Sequence, residues 1–289
     1  MSLPKVSQPI FSVTVKELGK TLKFRPFLMK EERAILVAKS IGDEDSIRNT
    51  IEEVVQACLV SSKENIQVSE LPAHIVDYLY INIYVKSNSD RLPVEYTCRH
   101  SILKTTKVPY VTDDGVESEK EEEIYEECGH KTSNTLNLAN VEIRYPEGYE
   151  ERKKIEVGPG ITLNVEYPKS RSIRIINKMN QYDEETGEFV NSQEDREKAY
   201  QDLIMESIVN ITEIKDGEEF VKLPNADFNA DEFFEWLDTL PKEVSTKLSL
   251  FFAELPSISL VENMMCLNPE CLQKTEYEIV GAKSFFLLS

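Results

Sequence analysis

Two stretches decide how this chain folds. The first is Val94-Glu-Tyr-Thr-Cys98, joined through a long insert to Cys128-Gly-His-Lys-Thr-Ser-Asn-Thr-Leu136. The second is Glu262-Asn-Met-Met-Cys266-Leu-Asn-Pro-Glu-Cys271-Leu-Gln-Lys-Thr-Glu-Tyr-Glu-Ile279. Each is a strand-like run ending in cysteine, a loop, a second cysteine followed by x-x-Lys-Thr, and an alternating run. That is the layout of a zinc knuckle, in which a tight turn points two thiolates inward and the flanking strands form a hairpin. Two knuckles supply the four ligands that tetrahedral zinc requires. The expected site is therefore Cys98, Cys128, Cys266 and Cys271 around one structural zinc. The pairs would then bring their sulfurs to roughly 3.5–4 Å of one another, each about 2.3 Å from the metal. Such a site would tie the middle of the chain to its C-terminal part.

Other readings of these residues stay open. Cys98-Arg-His100 and Cys128-Gly-His130 could form a self-contained Cys2His2 set, although C-x-H is short for a knuckle. The thiols could also be reduced core residues, relics of a lost metal site, or a disulfide. Five cysteines in 289 residues are an odd number in a chain that is not small, which disfavours a disulfide framework. Cys58 falls on an apolar helical stripe and reads as core. The remaining histidine, His74, reads as a surface or boundary residue near a helix start.

Outward from the cysteines, Phe11, Val13 and Val15 alternate, Leu-Gly-Lys turns, and Leu22 and Phe24 alternate again, predicting a hairpin. Helical spacing predicts helices over 30–40, 45–59, 71–86, 170–179, 195–207, 229–237 and 241–252. Asp216-Gly217 between apolar runs predicts a second hairpin. Thr135–Ile143 and Ile161–Tyr167 read as strands, and 146–159 as loop. Asp113–Glu127 holds nine acids and one lysine and reads as a solvated loop. The expected class is α+β: a mostly helical core with small antiparallel hairpins, the cysteine hairpins being zinc-ribbon-like. Three segments are expected, in one or two compact units: 1–92 (hairpin plus helices), 93–168 (β-rich, with an acidic insert over 104–127) and 169–289 (helices plus the cysteine hairpin).

Composition narrows the function. Fifty-two acids against 33 Lys and Arg leave a net charge of -19, which repels nucleic acid and anionic lipid. The apolar content suffices for a core, yet no run is long enough to span a membrane. The opening Met-Ser-Leu-Pro-Lys-Val-Ser lacks a secretory signal, so action in the cytoplasm is expected. Phosphate-loop, dinucleotide, nucleophile-elbow and zinc-protease motifs are all missing. No catalytic or cofactor-binding residues are assigned, and no enzyme activity is expected.

Gly19-Lys-Thr-Leu-Lys-Phe-Arg-Pro-Phe-Leu-Met-Lys-Glu-Glu-Arg-Ala-Ile-Leu36 resembles the opening of the T-even-type bacteriophage baseplate hub assembly proteins. The end agrees: Leu248-Ser-Leu-Phe-Phe-Ala-Glu-Leu-Pro-Ser-Ile258, the second cysteine pair, then Ile279-Val-Gly-Ala-Lys-Ser-Phe-Phe286. The resemblance spans most of 9–103 and 134–288 in order. The departure is at the first cysteine pair, usually close together in relatives but here separated by residues 99–127. The resemblance implies a tail-morphogenesis protein without catalysis, which assembles or forms part of the central hub of a contractile-tail baseplate. Hub or spike proteins would be its partners, and the virion baseplate a second location. Phe285 and Phe286 are candidate contact anchors, against packing of a last strand. The alternative from another class is a zinc-dependent enzyme or regulator, needing an open metal position and a nearby base.

Overall fold

A computed structural model describes residues 7–60, 66–111, 117–150, 152–179, 183 and 186–288. Thirteen strands and eight α-helices are assigned among them. The chain opens with β1 (Phe11–Val15) and β2 (Lys20–Phe24), followed by α1 (Met29–Ile41), α2 (Glu44–Cys58) and α3 (Ala73–Ser87). A strand-rich middle follows: β3 (Arg91–Thr97), β4 (Ser101–Val111), β5 (Glu117–Glu127), β6 (Lys131–Asn137), β7 (Glu142–Arg144), β8 (Arg152–Gly158) and β9 (Ile161–Glu166). Next come α4 (Ile173–Met179), α5 (Gln193–Ser207), β10 (Ile208–Lys215), β11 (Glu218–Lys222), α6 (Ala230–Leu237) and α7 (Lys242–Ala253). The last elements are β12 (Ser257–Met265), β13 (Lys274–Val280) and α8 (Ala282–Leu288).

Local chemistry explains the boundaries. Asp43 caps α2 by accepting the Ser46 N–H at 2.8 Å, and Asn229 and Glu232 form a reciprocal capping box on α6. The β10–β11 turn uses Asp216 and Gly217, both at positive φ, as a two-residue hairpin requires. Gly160, at φ 72°, has a second reason to be glycine, because a Cβ there would meet the Ile214 carbonyl oxygen at 2.8 Å.

The core is not mostly helical, contrary to the sequence expectation. Helix and strand account for 38% and 37% of the structure, in five antiparallel sheets. Strand residues such as Leu92, Leu136, Leu163, Val165, Ile258 and Leu260 are buried alongside helical ones. Three misread segments account for much of the difference. Arg152–Gly158, expected in a loop, is β8, whose Ile155 and Val157 face inward. Thr135–Ile143, expected as one strand, breaks at a 3-10 turn over Leu138–Asn140, so β6 pairs with β3 while β7 pairs with β12. Glu117–Glu127, expected as loop, is β5, paired with β4 over eleven residues. Its acids stay in solvent, as expected; only its backbone conformation was misjudged, because period-two hydrophobicity is silent in a strand almost without apolar residues. The tip of that segment, 113–116, lies outside the described residues.

Buried side chains form two clusters. One joins β1–β2, α1–α3, β3, β6, β12, β13 and α8, with Phe24, Ile51, Tyr80 and Phe286 among its largest members. The second joins β8–β10 and α5–α7 around Leu163, Phe233, Leu248 and Phe251. Phe285 and Phe286 are thus core residues of a short helix rather than exposed anchors. His74 is buried, not a surface residue; its ring meets Tyr145 and Tyr167 edge-on. Polar links connect the segments that carry the two clusters. Ala73 donates to the Pro168 carbonyl at 3.2 Å and Ser170 to that of Leu71 at 2.8 Å. The Arg48 guanidinium, held within the first cluster by Asp77 at 2.5 Å, also reaches Ser170 Oγ at 3.5 Å.

Candidate metal centre

Two hairpins converge. β3 pairs with β6 from Arg91↔Asn137 to Thr97↔Lys131, and β4 pairs with β5 from Ser101↔Glu127 in the same register. Between them, Cys98 donates its N–H to the His130 carbonyl at 2.9 Å and Cys128 donates to that of His100 at 2.8 Å. The insert has therefore lengthened one hairpin beyond the cysteines without separating them. Cys98 and Cys128 sit where the ladder is pinched, with Gly129 at φ 60°. The second hairpin runs from Ser259↔Val280 to Met265↔Lys274, and Cys266 and Cys271 occupy its turn.

Asn268 organises that turn. Its carbonyl accepts from the N–H groups of Cys271 and Leu272 at 2.9 and 3.0 Å, and its side-chain oxygen accepts from Glu270 at 3.1 Å. Its amide Nδ2 then reaches across to the Cys128 sulfur of the other hairpin at 3.2 Å. Sequence reading passed over this residue, although an Asn-Pro pair between two cysteines is a turn signal.

The four sulfurs meet. Cys98 and Cys271 are 3.7 Å apart, Cys128 and Cys266 are also 3.7 Å apart, and all four lie within 4.8 Å of one another. A regular tetrahedron of thiolates at about 2.3 Å from zinc has edges of about 3.8 Å. Cys98, Cys266 and Cys271 are buried and Cys128 is half-buried. His100 does not enter the cluster; its Nδ1 lies 3.3 Å from the Cys98 sulfur and 3.5 Å from Thr275 Oγ1, beside the site. His130 is exposed. Cys58 is buried elsewhere, against Arg25, and burial pushes its thiol up to about 11, as for an inert core cysteine.

The surroundings treat the four thiols unequally. Burial pushes Cys266 up to about 12. Burial also acts against ionisation of Cys128, but the Asn268 amide, the backbone and the neighbouring thiols outweigh it and bring Cys128 down to about 7. Four thiolates this close cannot coexist without a cation among them; a bound divalent ion would reverse the cost and deprotonate all four. The donor set could hold a metal ion, and its softness and shape suit zinc or iron. It leaves no position for water or substrate.

The chain belongs to the T4 bacteriophage base plate protein family, whose model matches residues 8–287. No curated protein and no solved structure matches it. The sequence resemblance to baseplate proteins is thus borne out over nearly the whole chain. Among the described residues, no helix is long and apolar enough to cross a membrane.

Proposed function

We propose that this protein is a non-enzymatic builder of the central hub of a contractile-tail baseplate, acting through contacts with hub or spike proteins. The observation that carries this reading is the family match over residues 8–287, joined to the absence of phosphate-loop, dinucleotide, nucleophile-elbow and zinc-protease motifs from the sequence. The acidic surface favours basic protein partners over nucleic acid. Assembly would take place in the host cytoplasm, with the protein then retained in the tail baseplate.

Cys98, Cys128, Cys266 and Cys271 hold one structural zinc in this reading, supported by their 3.7 Å sulfur contacts. A closed shell of four thiolates provides neither an open coordination site nor a metal-bound water, which argues against the zinc-enzyme alternative.

The test is co-expression with the hub and spike proteins of the same phage, combined with mass spectrometry of purified virions. A stable complex with one of them supports the assignment. Absence from virions together with no complex with any baseplate protein would overturn it. Elemental analysis of the purified chain addresses the metal, with one zinc per chain expected.

A further inference from the structure

A cleft of about 500 Å³ opens between the sheet face of β9 and β10 and the helix α6. Its floor is apolar, formed by Ile161 and Ile211. Its wall is aromatic: Phe228 stacks on the buried Phe233 at 5.6 Å, and Phe233 meets Trp236 at 5.8 Å. Trp236 and Phe228 are only half-buried, so both rings keep a face toward the cleft.

The rim carries the opposite chemistry. Glu213, Asp227 and Glu232 line it, against the single positive charge of Lys222. Glu232 precedes Trp236 by one helical turn, which puts its carboxylate and the indole on the same side of α6. One Glu232 oxygen accepts the Asn229 N–H at 2.9 Å, and one Asp227 oxygen accepts that of Leu223 at 2.7 Å. Each carboxylate retains its other oxygen. Phe220, directly across from Glu213 in the β10–β11 register, carries the same face outward and is 46% exposed.

Aromatic faces beside excess carboxylate suit one kind of group. A planar cation can lie on the rings while its edge donates paired hydrogen bonds to carboxylate; guanidinium does both, and ammonium only part. We propose that this cleft is a docking site for an arginine-bearing segment of a partner protein. The site is independent of the cysteine cluster and of zinc.

Trp236 is the only tryptophan in the chain, so its fluorescence reports on the cleft alone. The probe is a peptide repeating Gly-Ser-Arg, compared with Gly-Ser-Lys and Gly-Ser-citrulline repeats, titrated into the full chain near physiological ionic strength. The arginine peptide should change Trp236 emission saturably. It should bind roughly tenfold more weakly to the double variant Glu213→Gln/Glu232→Gln, in which glutamine preserves the α6 capping box. A second variant, Glu119→Gln/Glu121→Gln/Glu123→Gln on β5, removes charge far along the sequence and should bind unchanged. Equal binding of the lysine or citrulline repeat would overturn the proposal. Equal weakening in the β5 variant would also overturn it, by showing attraction to the overall charge rather than to the cleft.

Discussion

The sulfur of Cys98 lies 3.7 Å from that of Cys271, 173 residues further along the chain. The contact closes the first hydrophobic cluster by joining the β3–β6 hairpin to the β12–β13 hairpin. With zinc bound to the four thiols as proposed, replacing either cysteine by serine should release it and cost on the order of 10 kcal/mol of apparent stability, since binding is coupled to folding. A thermal melt with and without a strong chelator measures this. Identical melts would show that the thiols pack without metal.

Asn268 should behave as a supporting residue. Its amide donates to the Cys128 sulfur at 3.2 Å, while its backbone shapes the Cys266–Cys271 turn. Asn268→Ala should keep the fold but weaken metal affinity about 10- to 100-fold. Competition with a chromophoric chelator reads this directly; unchanged affinity would leave the amide only a turn-forming role.

The acidic ribbon should be dispensable for folding. β4 and β5 contact chiefly each other, and a lone two-stranded ribbon contributes little stability in water. Replacing 104–124 with Asn-Gly between Leu103 and Tyr125 would close the hairpin with a two-residue turn. Melting temperature should move by no more than about 3 °C, and metal content should not change. A larger loss would mean that the ribbon packs on the rest of the fold.

Arg25 gives the Phe-Arg-Pro-Phe stretch a physical role. Its guanidinium donates to buried Glu31 at 2.9 Å and to the Ala57 carbonyl at 2.8 Å, tying the end of β2 to α1 and α2. Glu31 in turn accepts the Leu28 N–H at 2.8 Å. Arg25→Ala would leave that buried carboxylate with only exposed Lys30, 3.3 Å away, and the Leu28 N–H, and should cost about 2 kcal/mol in denaturant unfolding. The pair variant Arg25→Met/Glu31→Leu should recover most of it. Equal loss in both would place the effect in packing rather than in charge.

Glu17 predicts an acid limb. Burial opposes its ionisation, yet the Tyr145 hydroxyl, which donates to it, and the His74 ring, 3.6 Å away, outweigh burial and hold it at about 2, against 4.5 for a free carboxylate. A depressed carboxylate stabilises the fold above its unfolded value, and that stability is lost as pH falls from about 4.5 through about 2. Solvent screening of this partly exposed carboxylate holds the amount to about 1–2 kcal/mol. Glu17→Gln should flatten the pH dependence of unfolding across that window. An unchanged slope would assign the limb to other carboxylates.

What was legible before the structure was local. The helix start at Asn229, the Asp216-Gly217 turn and the paired Cys-x-x-Lys-Thr stretches follow from short-range rules of capping, turn geometry and periodicity, whereas α2 starts at its Asp43 cap, two residues before the expected Asp45. The cysteine pattern also named four residues that the fold brings together. What needed tertiary structure was everything set by a distant partner. Glu117–Glu127 is a strand because β4 supplies its hydrogen bonds, which no hydrophobic pattern records. β6 and β7 separate because β6 pairs with β3 whereas β7 adds to the β12–β13 hairpin. His74 is buried because Glu17, Tyr145 and Tyr167 arrive from elsewhere in the chain to enclose it. Backbone pairing and burial are properties of two segments at once, whereas capping and turn formation belong to one, and only the latter can be read along a single line of residues.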